Sequence, residues 1–240
     1  MNRSSRLTLT FASLFLVFFI LLVFLRFPLP LYHLLSWQDV LDLLTPLVLI
    51  PIYWRMLRSV TRDLASPNAD TAFMILSALW VLGQGMHLAA NSVNNLIAAL
   101  AKTGALDITG TDIFTLVYFL DENLSHSLWH LGVLGLAALL IYEAWHPAAS
   151  DRTDWAYVMP AAFLHGITLF LIIDEGNTVW IGLPFTLAVT LTVLARGTRK
   201  LSQQPVLAFF FTSCLIALLV FLGWGIHFRG FPPVMDVLNI

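Results

Sequence analysis

Glu122, His126 and His130 follow one another at intervals of four residues inside a stretch that otherwise reads as hydrocarbon. On an α-helix that spacing stacks the three side chains on one face, one turn apart. Imidazole and carboxylate are the usual ligands of zinc, and also of iron, manganese and copper. Two histidines at i and i+4 can clamp one ion, as in His-Glu-x-x-His helices. The three groups together span ~12 Å, two helical turns, too far for a single ion to touch all of them. One of them must then act as a base or support, or two ions bind. Two other apolar segments each carry one central histidine, His87 and His165. The expected metal ligands are therefore His87, His126, His130 and His165, with Glu122 as the general base. Asn91, Asn94, Asn95, Asp121 and His227 are the further polar groups expected to orient ligands or meet a substrate. No separate set of cofactor-binding residues stands out.

The elements that must position these groups are set by composition. The chain has 240 residues, of which 59% are hydrophobic and 11% charged, and its mean hydropathy is +0.84. Soluble domains carry about 25% charged residues, so this chain cannot cover a water-facing surface and reads as an integral membrane protein. The net charge of −2 argues against nucleic acid as a partner. A single cysteine, Cys214, allows no internal disulfide and reads as a small buried residue.

Seven apolar segments follow, near Leu7–Phe27, Val40–Leu57, Ala72–Leu100, Ile113–Trp145, Trp155–Ile173, Val179–Leu194 and Val206–Phe228. Backbone polar groups in lipid must be satisfied internally, so each is expected to be a helix. The fold class is an all-α, polytopic helical bundle of about seven transmembrane helices, in one domain over residues 1–240. The fourth segment is too long to cross upright and must tilt, kink or project. Pro28 and Pro30 close the first segment, and Pro46 and Pro51 lie inside the second. Arg3, Arg6, Arg55, Arg58, Arg62, Arg152, Arg196, Arg199 and Lys200 fall on one side, against Arg26, Lys102 and Arg229 on the other. That bias places the N-terminus in the cytoplasm and, with seven spans, the C-terminus outside. Chain direction then gathers the polar groups in the middle and outer half of the bilayer, as a pocket opening outward. Asp174 and Glu175 sit at a turn and are expected in a solvated loop.

Ionisable groups at membrane depth are costly and mark function by default. The leading expectation is a membrane-embedded metalloenzyme acting on a lipid or another hydrophobic small molecule. It would use metal-dependent hydrolysis or oxidation, with zinc foremost and iron or copper as alternatives. The triplet Leu120-Asp121-Glu122, seven spans and intramembrane histidines resemble the alkaline ceramidase and adiponectin-receptor superfamily of zinc hydrolases. That resemblance implies a zinc-dependent lipid amidase. The chain departs from it in having no Ser four residues before any central histidine, and in carrying only His227 in its last segment. A second expectation is a membrane electron-transfer or quinone protein holding haem b between His87 and His126 or His130. A third is a transporter of metal ions or protons. Expected partners are membrane lipids, the hydrophobic substrate and other membrane subunits. The expected location is a bacterial-type inner membrane.

Overall fold

A chain with so few charges must close its backbone hydrogen bonds locally, and the helix does this residue by residue. The structure, a computed structural model, describes residues 3–25, 27–29, 32–61, 67–105, 108–146 and 151–238. Arg26, Pro30 and Arg62 fall outside them. The helices are α1 (Arg3–Phe19), α2 (Trp37–Thr61), α3 (Pro67–Lys102), α4 (Asp112–Tyr118), α5 (His126–Trp145), α6 (Trp155–Glu175), α7 (Val179–Arg196), α8 (Pro205–Phe228) and the short α9 (Val234–Leu238). A π-helical stretch, Phe119–Ser125, joins α4 to α5 without a break. Ser36 and Asp39 cap α2 reciprocally: the Ser36 amide donates to Asp39 Oδ2 at 2.7 Å, and the Asp39 amide donates to Ser36 Oγ at 3.2 Å. Pro46 and Pro51 both lie within α2.

Among the described residues, six helices have the length and apolar composition to cross a membrane: α2, α3, the continuous α4–α5 rod, α6, α7 and α8. The class is the polytopic helical bundle expected from composition. The first apolar segment is not one continuous helix. Helix α1 has 17 residues, and the chain then tightens into a 3-10 turn at Leu21–Phe24. The residues after it fold back on the start of α2. The amides of Trp37 and Gln38 donate to the carbonyls of Phe27 and Leu25 at 3.0 Å each. A short, irregular antiparallel ladder pairs β1 (Pro28–Leu29) with β2 (Tyr32–Ser36), in line with the extended backbone that proline favours.

Helix α1 is nevertheless central to the bundle. Its Phe11 and Phe15 are buried, together with Tyr53 of α2, Trp80 of α3 and Phe209 and Phe210 of α8. It packs mainly on α6, while α3 packs on α5 and α6 on α8. Gly83 and Gly132 fix the α3–α5 crossing. A Cβ on Gly83 would collide with the backbone of Trp129 and Ser125, and one on Gly132 with the backbone of Trp80 and Leu76. Side chains such as Ile75, Leu82, Phe163, Leu191 and Ile226 remain exposed, the surface that acyl chains would cover.

The two ends of the bundle differ. At one end the loops are tied together: Ser4 Oγ donates to Asp151 at 3.1 Å, the Asp154 amide to Ser5 Oγ at 3.1 Å, and Lys200 Nζ to the Trp145 carbonyl at 2.7 Å. At the other end α6 turns into α7 through Gly176 and Asn177. There Glu175 Oε1 accepts from the Met235 amide at 2.7 Å and so holds the first turn of α9. Asp174, expected in a solvated loop, is instead buried, because the α9 segment folds back over this turn.

Candidate functional site

The run Asp121-Glu122-Asn123-Leu124-Ser125-His126-Ser127 sets up its own backbone. In a π turn the carbonyls bond five residues ahead instead of four. Here three side chains in a row meet three carbonyls in a row. Ser125 Oγ donates to the Asp121 carbonyl. His126 Nδ1 lies 3.2 Å from the Glu122 carbonyl, and Ser127 Oγ donates to that of Asn123 at 2.6 Å.

The wide turn changes what the spacing of four means. Glu122 stays partly exposed, its Oε2 3.9 Å from His126 Nδ1. On an ideal helix Asp121 would point roughly 100° away from Glu122; the π turn carries it into the bundle, where it is buried. Asp121 Oδ1 stands 2.9 Å from Nδ1 of His87 on α3, and Asn94 Nδ2 donates to Oδ2 at 3.4 Å. Asp121, rather than Glu122, is therefore the carboxylate that joins the two helices.

The close α3–α5 crossing brings the imidazoles together. The rings of His87 and His126 are 4.7 Å apart. Those of His126 and His130 are 6.0 Å apart and nearly parallel, and Trp129 packs on His130 at 4.7 Å. His130 Nδ1 lies 2.5 Å from Thr178 Oγ1. Gly176 leaves room for that ring, since a Cβ there would strike it.

The partners assign the protons. The Thr178 hydroxyl donates to the Ile173 carbonyl at 3.2 Å, so its oxygen accepts from His130 and Nδ1 of His130 carries the hydrogen. The Glu122 carbonyl can only accept, which puts a hydrogen on Nδ1 of His126. The Asp121 carboxylate lies 2.9 Å from Nδ1 of His87. His130 thus keeps Nε2 as its lone-pair nitrogen, the arrangement in which a neutral imidazole ligates a metal or accepts a proton. Nε2 of His130 is buried without a hydrogen-bond partner.

The structure gathers His87, His126, His130, Asp121, Glu122 and Asn94. Asn91 lies one turn further along α3, accepting from the exposed Asn95 at 3.2 Å. His165 sits elsewhere, with its ring 5.5 Å from Phe11, 4.6 Å from Phe15 and 5.0 Å from Phe209. The Phe15–Phe19 pair separates it from Trp129, because α6 faces α1 and α8 rather than α3 and α5. His227 is exposed near the end of α8, against Phe228. Among the described residues, no three His, Cys, Asp or Glu side chains converge as a metal site would require.

Two members of the cluster escaped the sequence reading. Asp42 of α2 lies within electrostatic reach of His87 and beside Gln84, whose Oε1 accepts from Trp80 Nε1 at 3.1 Å. A carboxylate inside the apolar segment Val40–Leu57 was the available signal. Thr178 gave none, since a threonine after a turn is unremarkable until the fold sets it against His130.

No protein-family model matches the chain, and no solved structure does. The chain is similar to the ceroid-lipofuscinosis neuronal protein 6 homolog of the dog, Canis lupus familiaris. The two are 22% identical over an alignment of 196 residues, which covers 76% of this chain and 60% of that protein. The chain thus spans less than two thirds of the length of the relative it matches. That relative is an animal protein, so the likeness gives no support to a bacterial inner membrane.

Proposed function

We propose that the cluster binds a divalent transition metal, zinc foremost, through Nε2 of His87, His126 and His130. The metal would serve an enzyme that acts on a hydrophobic substrate within the membrane. The observation that carries this reading is that two helices gather three imidazoles, with Nδ1 of His87 2.9 Å from Asp121 and those of His126 and His130 against the Glu122 carbonyl and Thr178. A carboxylate behind a histidine is the usual way a metal-binding imidazole is held and its basicity raised. Binding requires the rings to swing toward a common point, and the 4.7 Å spacing of His87 and His126 keeps that motion small. Glu122, partly exposed, would serve as the general base, and the metal, when bound, would supply Lewis-acid activation. With the arginine-rich end in the cytoplasm, the cluster lies toward the outer side, and substrate reaches it laterally from that leaflet.

The geometry speaks against a haem held by His87 and His126. Rings 4.7 Å apart leave no space for a porphyrin between them.

Elemental analysis and a visible spectrum of the purified protein, after exposure to zinc, iron and copper salts in turn, test the reading. Stoichiometric, colourless zinc is expected in the wild type. It should be lost in His87→Ala, His126→Ala and His130→Ala, and kept in His165→Ala. Glu122→Gln should retain the metal and lose turnover. Wild-type protein that holds none of the three metals overturns the assignment and leaves the Nε2 nitrogens to proton transfer. A Soret band overturns it in favour of haem.

A further inference from the structure

The tied end of the bundle holds a second feature, independent of the histidine cluster. A cavity of about 690 Å³ lies between the first turns of α1 and the last turns of α2, and its lining includes Arg3, Arg6, Arg55 and Arg58. Asp151, the one carboxylate in that lining among the described residues, accepts from Ser4 Oγ. Two of the arginines are visibly engaged. Arg58 Nη2 donates to both oxygens of Asp70 at 3.0 Å and stacks 3.9 Å over Trp54, and Arg6 lies over the Tyr157 ring. Arg3 and Arg55 are exposed and have no carboxylate partner among the described residues. Two guanidiniums around one cavity at the end of apolar helices, neither paired with a carboxylate among the described residues, are suited to an oxyanion.

Position identifies the source of that anion. Helices α1 and α2 leave their apolar stretches at this level, where lipid phosphates lie. The lining also includes Leu7, Thr10 and Trp54, so an apolar wall continues from the charged rim toward the bilayer. A ligand that suits both parts has a phosphate head and a hydrocarbon tail. We propose that this cavity binds the phosphate headgroup of an anionic phospholipid, with Arg3 and Arg55 as its ligands.

The test is lipid retention by the full chain. Protein would be reconstituted in nanodiscs of phosphatidylcholine containing a minor share of phosphatidate, released into detergent, and its retained lipid counted by native mass spectrometry. Wild type is expected to keep phosphatidate in preference to phosphatidylcholine. Arg3→Ala and Arg55→Ala should each lower that preference about fivefold, and Lys102→Ala, at the far end of α3, should leave it unchanged. Arg3→Lys/Arg55→Lys keeps the charge without the fork and should fall between wild type and the alanine variants. Equal retention of the two lipids by the wild type, or undiminished preference in the Arg3→Ala/Arg55→Ala double variant, overturns the proposal. In a parallel arm, lipid-free micelles would be titrated with inorganic phosphate. Saturable phosphate binding without any preference for phosphatidate overturns the lipid assignment in favour of free phosphate.

Discussion

His130 and His165 are both imidazoles set within apolar segments, and they meet opposite surroundings in the fold. His130 is held by Thr178 and lies beside His126, with one nitrogen bare. His165 is enclosed by phenylalanines, and neither of its nitrogens has a partner. Burial alone therefore does not mark a working histidine in a membrane helix. The difference lies in whether a second element brings a polar atom to fix the tautomer, as the turn into α7 does for His130 and nothing does for His165.

The sharpest way to break this contrast is to remove the polar side of it. Asp121→Ala leaves His87 Nδ1 without its carboxylate and should cost about 3 kcal/mol, as losing one partner of a buried pair does. Unfolding by detergent titration measures this, and an unchanged midpoint would deny the pair its role. Gly83→Val comes next, at about 2 kcal/mol, because the new side chain meets backbone that cannot retreat. It should push α3 from α5 and separate His87 from His126, while the phenylalanine cage of α1, α6 and α8 stays intact. Cross-linking between α3 and α5 reads the first effect. The two histidines should then part in sign. His165→Phe removes unpaired nitrogens from an aromatic surrounding and should stabilise by about 1 kcal/mol, whereas His130→Phe should destabilise by a similar amount. A matching sign for both would erase the distinction. The smallest effect is expected from Thr178→Val, about 0.6 kcal/mol, the average of a hydrogen bond between membrane helices. Its clearest reading is nitrogen NMR of His130, where the proton should no longer be confined to Nδ1.

Much of this was readable from the chain. Low charge and seven apolar runs specify a helical membrane bundle, and the polar residues of the third and fourth runs do meet. The limits are equally physical. The four-residue ladder assumed 3.6 residues per turn, and the π turn at Phe119–Ser125 replaced Glu122 by Asp121 as the inward carboxylate. Helix α1 ends before its apolar run does, and Leu25 and Phe27 bond back to the start of α2, a contact no local pattern announces. The separation of His165 depends on which helices become neighbours, and four phenylalanines from two other segments decide it. Asp174 was misread for the same reason, since the cover over it arrives from α9.

The wide turn before His126 has one more consequence. A helix with such a turn carries a residue more than a straight one needs, and that surplus is taken up locally, like slack in a line. Removing any one residue between 119 and 125 would let the rod close into an ordinary helix and would leave α4 close to its present bearing on α5. The histidines below the cut and the side chains of α4 above it would keep their neighbours, while Asp121 would lose the local offset that sets it against His87. Length, more than the identity of any single residue in that stretch, is what keeps that carboxylate turned inward.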